Sequence, residues 1–281
     1  MAGMQRNSTI AKNPGEGAAR VDDRPAGRHV YIAMSRRSGG LSVGVDLTVN
    51  GECSLACIYC QVPRERPVHG RPAVDVALLA GELTDVLAAD PDRYADVVVA
   101  GAGEPTLAMN IGEVLREIDL VCSRTGFTKP RRIYTNGVHV AAPDVQAALV
   151  EWADRGGEIW VKLDTVNEPV LLHLWRTKLT VAMHVAGIWD LAKRCPIGIQ
   201  TMMMRGPGLD SIERTAHQIA NAIRAGLAIG AKVKEVQLTA LARPPGDPVA
   251  AEGIVSATRE ELEIAARIVR EKTSLPVAIF P

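Results

Sequence analysis

Three of the chain's five cysteines, Cys53, Cys57 and Cys60, lie in the segment Gly51-Glu52-Cys53-Ser54-Leu55-Ala56-Cys57-Ile58-Tyr59-Cys60. The spacing is C-x3-C-x2-C. Thiolates this close together on one loop can wrap one corner of a 4Fe-4S cube, which leaves the fourth iron without a protein ligand and open to a small molecule. Ligand count separates this from the alternatives. A closed electron-transfer cluster uses four cysteine thiolates, and structural zinc also wants four ligands, commonly as two short Cys or His pairs. Here three ligands are local. Cys122 and Cys195 are distant and unpaired in sequence, and His69, nine residues after Cys60, is the nearby side chain that could reach back. Zinc and a four-ligand cluster stay open on this evidence.

The chain has 281 residues, enough for one large α/β domain plus a tail, and a core of that size needs neither disulfide nor metal for stability. Scarce cysteine, clustered as ligands, fits a reducing cytoplasm. Met1 to Gly27 is polar and lacks the apolar stretch of a secretory leader. The expected organisation is a flexible tail over 1–28 followed by one core domain over 29–281. No apolar run of roughly 18 residues marks a membrane helix. Charge is balanced at 32 basic and 32 acidic residues, so no global field attracts polyanions. Four Trp, four Tyr and two Phe give few platforms for stacking on RNA. The basic runs Arg36-Arg37 and Lys129-Pro130-Arg131-Arg132 read as solvated surface. These features weigh against a nucleic-acid partner and favour a small-molecule substrate.

From Val30 onward, strand and helix patterns alternate. Strands are expected at 41–49, 95–100, 132–135, 158–163, 197–203, 233–239 and 276–280. Helices are expected at 74–89, 111–124, 142–155, 168–173, 182–194, 212–227 and 259–271. Such alternation predicts a parallel sheet, and six repeats do not close an eightfold barrel. The fold class is therefore α/β, an open, partial (β/α)6 barrel with a C-terminal helix and strand extension. Chemistry in such folds gathers outside the carboxyl ends of the strands. The cysteine loop, Gly103-Glu104-Pro105, Asn136 and Asp164 each follow a different expected strand, so all would meet on one rim.

Most candidates on that rim have a plain structural reading as well. Gly103 lacks a side chain and permits close backbone approach, and Glu104 is suited to pair with an ammonium; the pair also reads as a turn glycine with a helix-flanking acid. Asn136 is equally the first residue of an Asn-Gly turn. Lys162 and Asp164 share one strand face, as an exposed ion pair or as a binding pair, and Lys162 is a candidate imine former. Tyr59, between two ligands, covers the cluster or simply packs the loop. Gln200 and the methionines after it end the fifth strand, where the methionines read as core filler. Gln237, Thr239 and Arg243 end the sixth.

The cysteine motif resembles that of radical S-adenosylmethionine (SAM) enzymes, and the resemblance continues in order to the C-terminus. Ser35-Arg36-Arg37-Ser38-Gly39-Gly40-Leu41-Ser42-Val43-Gly44-Val45, Cys57-Ile58-Tyr59-Cys60-Gln61, Gly103-Glu104-Pro105-Thr106-Leu107, Val161-Lys162-Leu163-Asp164 and Val236-Gln237-Leu238-Thr239 with Arg243-Pro244-Pro245 look like a group related to the wyosine-base synthases. The resemblance implies one 4Fe-4S cluster on the three cysteines and SAM chelating the open iron. It implies SAM contacts from Tyr59, Gly103, Glu104, Asn136, Asp164 and Gln200. It also implies a reductant such as flavodoxin or ferredoxin. Lys162 and Arg176 are its candidate catalytic residues. Two departures point to a distinct substrate. No cysteine precedes Cys53, and His173-Leu174-Trp175-Arg176-Thr177 stands where the group often shows Ile-Asn-Arg-Pro, with Arg176 retained. Modification of tRNA and a non-enzymatic iron-sulfur or zinc module are the competing functions.

Overall fold

A computed structural model describes residues 27–281, so all of the expected tail except Gly27 and Arg28 lies outside the described residues. Arg28 is already anchored: its Nε donates to Glu82 Oε1 at 3.1 Å, and Glu82 Oε2 accepts the His29 and Val30 backbone N–H groups at 2.9 Å.

The chain opens with an antiparallel hairpin, β1 (Val30–Ser35) and β2 (Gly40–Val45), and continues with α1 (Val76–Ala89). Then follow β3 (Asp96–Val99), α2 (Ile111–Arg124), β4 (Arg131–Thr135), α3 (Pro143–Asp154) and β5 (Glu158–Lys162). Two helices, α4 (Glu168–Trp175) and α5 (Val181–Arg194), precede β6 (Ile197–Met202), β7 (Met204–Arg205) and α6 (Ile212–Ala228). The last elements are β8 (Val233–Thr239), β9 (Val255–Ser256), α7 (Arg259–Thr273) and β10 (Val277–Phe280). One eight-stranded sheet runs β1-β2-β3-β4-β5-β6-β8-β10, parallel throughout except for β1. The six expected strand–helix units are present in order, with β10 as the extension.

Local chemistry sets the element ends. Ser211 caps α6 through its hydroxyl, and Thr258 with Glu261 forms a reciprocal capping box on α7. The second strand stops at Val45, four residues short of expectation, because Asp46 Oδ1 accepts the Thr48 N–H at 2.9 Å and turns the chain. The small antiparallel pair β7–β9 was not expected from sequence. Its strands have two residues each, too few for a period.

Side-chain alternation gives the sheet two unlike faces. Val43, Val45, Val97, Val99, Ile133, Ile159, Val161, Ile199, Val236 and Leu238 point outward into the aliphatic core under the helices. The intervening positions turn inward and are largely polar or aromatic: Asp96 on β3, Arg132 and Tyr134 on β4, Glu158, Trp160 and Lys162 on β5, Gln200 on β6 and Gln237 on β8. The sheet curls enough for its edges to approach one another. Arg36, in the β1–β2 turn, donates from Nη2 to the Ala240 carbonyl at 3.1 Å and from Nη1 to the Pro281 carbonyl. Its neighbour Arg37 stacks on the Tyr134 ring at 4.2 Å. Among the described residues, no helix is long and apolar enough to cross a membrane.

Candidate functional site

The cysteine loop runs from the end of β2 across the carboxyl ends of the parallel strands and is held from every side. Cys53 and Val68 exchange backbone hydrogen bonds at 2.9 and 3.0 Å, closing the loop on itself. The Ala56 and Ile58 N–H groups donate to the Trp175 and Leu174 carbonyls at the end of α4. Leu55, Ile58 and Tyr59 bury against Val170, Leu171, Leu174 and Trp175, a second apolar cluster separate from the main core. From β3 comes the Glu104 N–H, donating to the Glu52 carbonyl at 2.8 Å; from beyond β8 comes the Gly246 N–H, donating to the Cys60 carbonyl at 2.8 Å. Both approaches need glycine. A Cβ on Gly103 would overlap the Glu52 carbonyl, and one on Gly246 would overlap the Gln61 carbonyl. The close approach that Gly103 permits is thus to the cysteine loop.

Two buried carboxylates brace the rim, chiefly through neutral donors. Glu104 Oε1 accepts the Thr106 N–H at 3.1 Å and the Thr106 and Thr135 hydroxyls at 2.6 Å, while Oε2 accepts the Asn136 N–H at 2.7 Å. Asn136 Nδ2 donates to Ser54 Oγ at 3.0 Å and lies 3.8 Å from Cys53 Sγ. Asp164 Oδ1 accepts the Met202 N–H at 2.9 Å, and Oδ2 accepts Trp175 Nε1–H at 3.1 Å and the Tyr59 hydroxyl. Lys162 Nζ donates to the Tyr59 oxygen at 3.0 Å, stands 3.7 Å from Asp164 Oδ2 and lies 4.7 Å over the Tyr59 ring. Tyr59 therefore fastens the middle of the cysteine loop to β5, and Lys162–Asp164 joins a half-buried ammonium to a buried carboxylate rather than forming an exposed pair.

The three thiols are half-buried. Burial, then the nearby Glu104 carboxylate, pushes the Cys53 thiol up to about 11. Burial also raises Cys57, reinforced by Cys60 and Cys53 and opposed by the Lys162 ammonium. Beneath the rim, His184 Nε2 lies 3.0 Å from the Lys162 carbonyl, an acceptor, so this nitrogen carries the proton. Burial lowers the His184 pKa to about 4, and its Nδ1 has no partner.

Of the expected site residues, Cys53, Cys57, Cys60, Tyr59, Gly103, Glu104, Asn136, Lys162 and Asp164 come together at this rim. Gln200 adjoins Lys162 in register and Gln237 on the next strand; Gln200 Nε2 and Gln237 Oε1 are buried without partners. Arg176 is tied to the outer side of the loop. It donates to the Arg64 and Glu65 carbonyls at 3.0 and 3.2 Å and pairs with Asp247 at 3.2 Å. His69 is exposed. Arg64 is the residue that sequence reasoning missed: buried, it donates from Nη1 to Cys60 Sγ at 3.4 Å. Its only sequence signal was a basic residue four positions after a ligand.

Residues 47–219, more than half of the chain, match the Radical SAM superfamily. UPF0026 protein slr1464 of Synechocystis sp. is 30% identical over 186 residues, 66% of this chain and 63% of the relative, so the match spans less than two thirds of that protein. Among solved structures, a radical SAM methyltransferase from Sphaerobacter thermophilus is similar with a TM-score of 0.58 at 15% identity, over 89% of this chain and 68% of that one. TYW1, solved with a lysine-pyruvate adduct bound, is similar with a TM-score of 0.53 at 13% identity over 88% and 85%. Streptococcus suis SuiB, solved bound to S-adenosylmethionine, has the same score and identity over 88% and 49%. At such identities the likeness is one of fold.

Proposed function

The chain belongs to the radical SAM superfamily, and from that premise we propose that it is an enzyme whose Cys53, Cys57 and Cys60 hold one 4Fe-4S cluster, with SAM on the open iron and a small molecule as substrate. The observation that carries this reading is the set of donors aimed at sulfur. Asn136 Nδ2 faces Cys53 Sγ and Arg64 Nη1 faces Cys60 Sγ, an arrangement that suits thiolates. Only deprotonated sulfur binds metal. Thiols pushed upward by burial, as at Cys53 and Cys57, become thiolates when a metal replaces the proton.

Held by Cys53, Cys57 and Cys60, a reduced cluster would supply the electron for reductive cleavage of SAM to methionine and a 5′-deoxyadenosyl radical able to take hydrogen from substrate. The protein's part is placement. Glu104 Oε2 accepts a single internal donor, the Asn136 N–H, which leaves this oxygen room for the SAM ammonium. The unpartnered Gln200 Nε2 is suited to the ribose or carboxylate of SAM. Tyr59 covers the loop between two ligands, held by Asp164 and Lys162. Gln237, Lys162 and the aromatic inner face lie on the substrate side. Arg176, bonded to the Arg64 and Glu65 carbonyls and to Asp247, keeps the loop seated. A low-potential donor of the flavodoxin or ferredoxin class supplies the electron, and the balanced charge of the chain favours a small molecule over tRNA.

Anaerobic reconstitution with iron and sulfide tests the reading. The expected result is about four irons per chain and 5′-deoxyadenosine on adding dithionite and SAM, with C53A, C57A and C60A each at background. Bound zinc, or iron uptake that survives all three substitutions, would sink it. Co-purified tRNA with salt-dependent affinity would redirect the substrate assignment.

A further inference from the structure

We propose that Arg64 is a positioning residue that fixes Cys60 Sγ and raises the reduction potential of the cluster, an inference that rests on the cluster reading above. Arg64 is 9% exposed. All three of its guanidinium nitrogens are used: Nε donates to the Gly51 carbonyl at 3.1 Å, Nη2 to the Ala102 carbonyl, and Nη1 to Cys60 Sγ at 3.4 Å. It thereby joins the start of the cysteine loop, the β3 loop and the last cysteine. Its own carbonyl is pinned by Arg176 Nη1 at 3.0 Å, so both backbone and head group are fixed.

The partners are informative because none is a carboxylate. Three of the four part-buried arginines have one: Arg131 pairs with Asp119, Arg132 with Asp96 and Glu158, and Arg176 with Asp247, while the fourth, Arg243, reaches the Gln61 amide oxygen. Arg64 lies deeper than these, yet among the described residues no carboxylate is within ion-pair reach of it. A buried cation without a counter-charge is unfavourable. A thiolate at Cys60 supplies that charge, and three thiolates on a 4Fe-4S core keep the whole unit negative in both oxidation states. One-electron reduction adds one further negative charge and takes up no proton. A fixed guanidinium hydrogen-bonded to a ligand sulfur favours that step, since hydrogen bonds to sulfur and nearby charge set cluster potentials. Arg64 therefore acts on the electron that enters the site.

The test is an electron paramagnetic resonance titration with dithionite on the reconstituted full chain without SAM, comparing wild type, R64K and R64Q, alongside iron content and melting of the apo-protein. R64Q should be harder to reduce by about tenfold in the equilibrium constant, which is about 59 mV for one electron. R64K, which keeps charge but loses the fork, should fall between. If R64Q loses iron while the apo-protein melts as wild type does, the positioning role is supported. If R64Q is unfolded, R64K alone decides. Wild-type potential in each variant that loads overturns the proposal. Failure of wild type to assemble a cluster overturns the cluster reading instead, so the two failures are distinguishable.

Discussion

At the floor of the inner face, Asp96 and Glu158 share the guanidinium of Arg132, and Asp96 also takes the Ser38 and Ser42 hydroxyls. At the rim, Glu104 and Asp164 are held chiefly by N–H and O–H groups, while the most buried arginine there points at a cysteine. Carboxylates at the floor meet their counter-charges inside the protein. Those at the rim are held mainly by neutral dipoles, with Lys162 3.7 Å from Asp164 as a nearby cation, and the Arg64 guanidinium faces sulfur. The floor is a closed structural unit; at the rim, on the proposed function, the cluster and SAM would bring the remaining counter-charge.

The comparison breaks most readily at Arg132. Arg132→Met would leave buried Asp96 without its cation and should cost about 3–5 kcal/mol in chemical denaturation, with iron uptake by the folded protein unchanged. Loss of iron uptake from still-folded protein would show that floor and rim are not separate.

His184 sharpens the rim side. Its pKa, lowered to about 4 by burial, means that the unfolded chain takes up a proton near its ordinary value of 6.5 while the folded chain does not. Stability from this group is whole above pH 6.5 and is lost as pH falls toward 4, by about 3 kcal/mol in all. Subtracting the unfolding free energies of His184→Gln from those of wild type across that window should reveal the slope. A flat difference would mean that the imidazole is solvated.

The smallest expected effect is Tyr59→Phe. Asp164 keeps the Met202 and Trp175 donors, so the loss should be about 1–2 kcal/mol. A loss as large as that at Arg132 would make the Tyr59 bond a principal prop of the fold and erase the contrast.

Much of this was legible in the sequence. The cysteine spacing, the six strand–helix units and the strand-end residues Glu104, Asn136 and Asp164 declare themselves locally, through ligand count and period. The remainder depends on partners far along the chain. Arg36 and Arg37 read as solvated surface and are exposed, but nothing local shows that Arg36 bonds across 204 residues to Ala240 or that Arg37 lies on Tyr134. Arg176 reads as a candidate catalyst, and its hydrogen bonds reach back 112 residues to the loop. Arg64 lacks any periodic or motif signal, because what distinguishes it is the absence of a nearby carboxylate in space. Gly103 reads as room for a ligand, and the room it provides is taken by the Glu52 carbonyl. Inward and outward strand positions likewise separate only once the sheet has curled.

The tie from Arg36 to the carbonyls of Ala240 and Pro281 has a mechanical consequence. Among the described residues, the first and last strands of the sheet are joined by no ladder, and Arg36 bridges the two edges. Its two side-chain hydrogen bonds lie outside every strand pairing. Loss of the Arg36 contacts would therefore leave every strand ladder intact, and with it the register of the cysteine loop at the opposite end of β2.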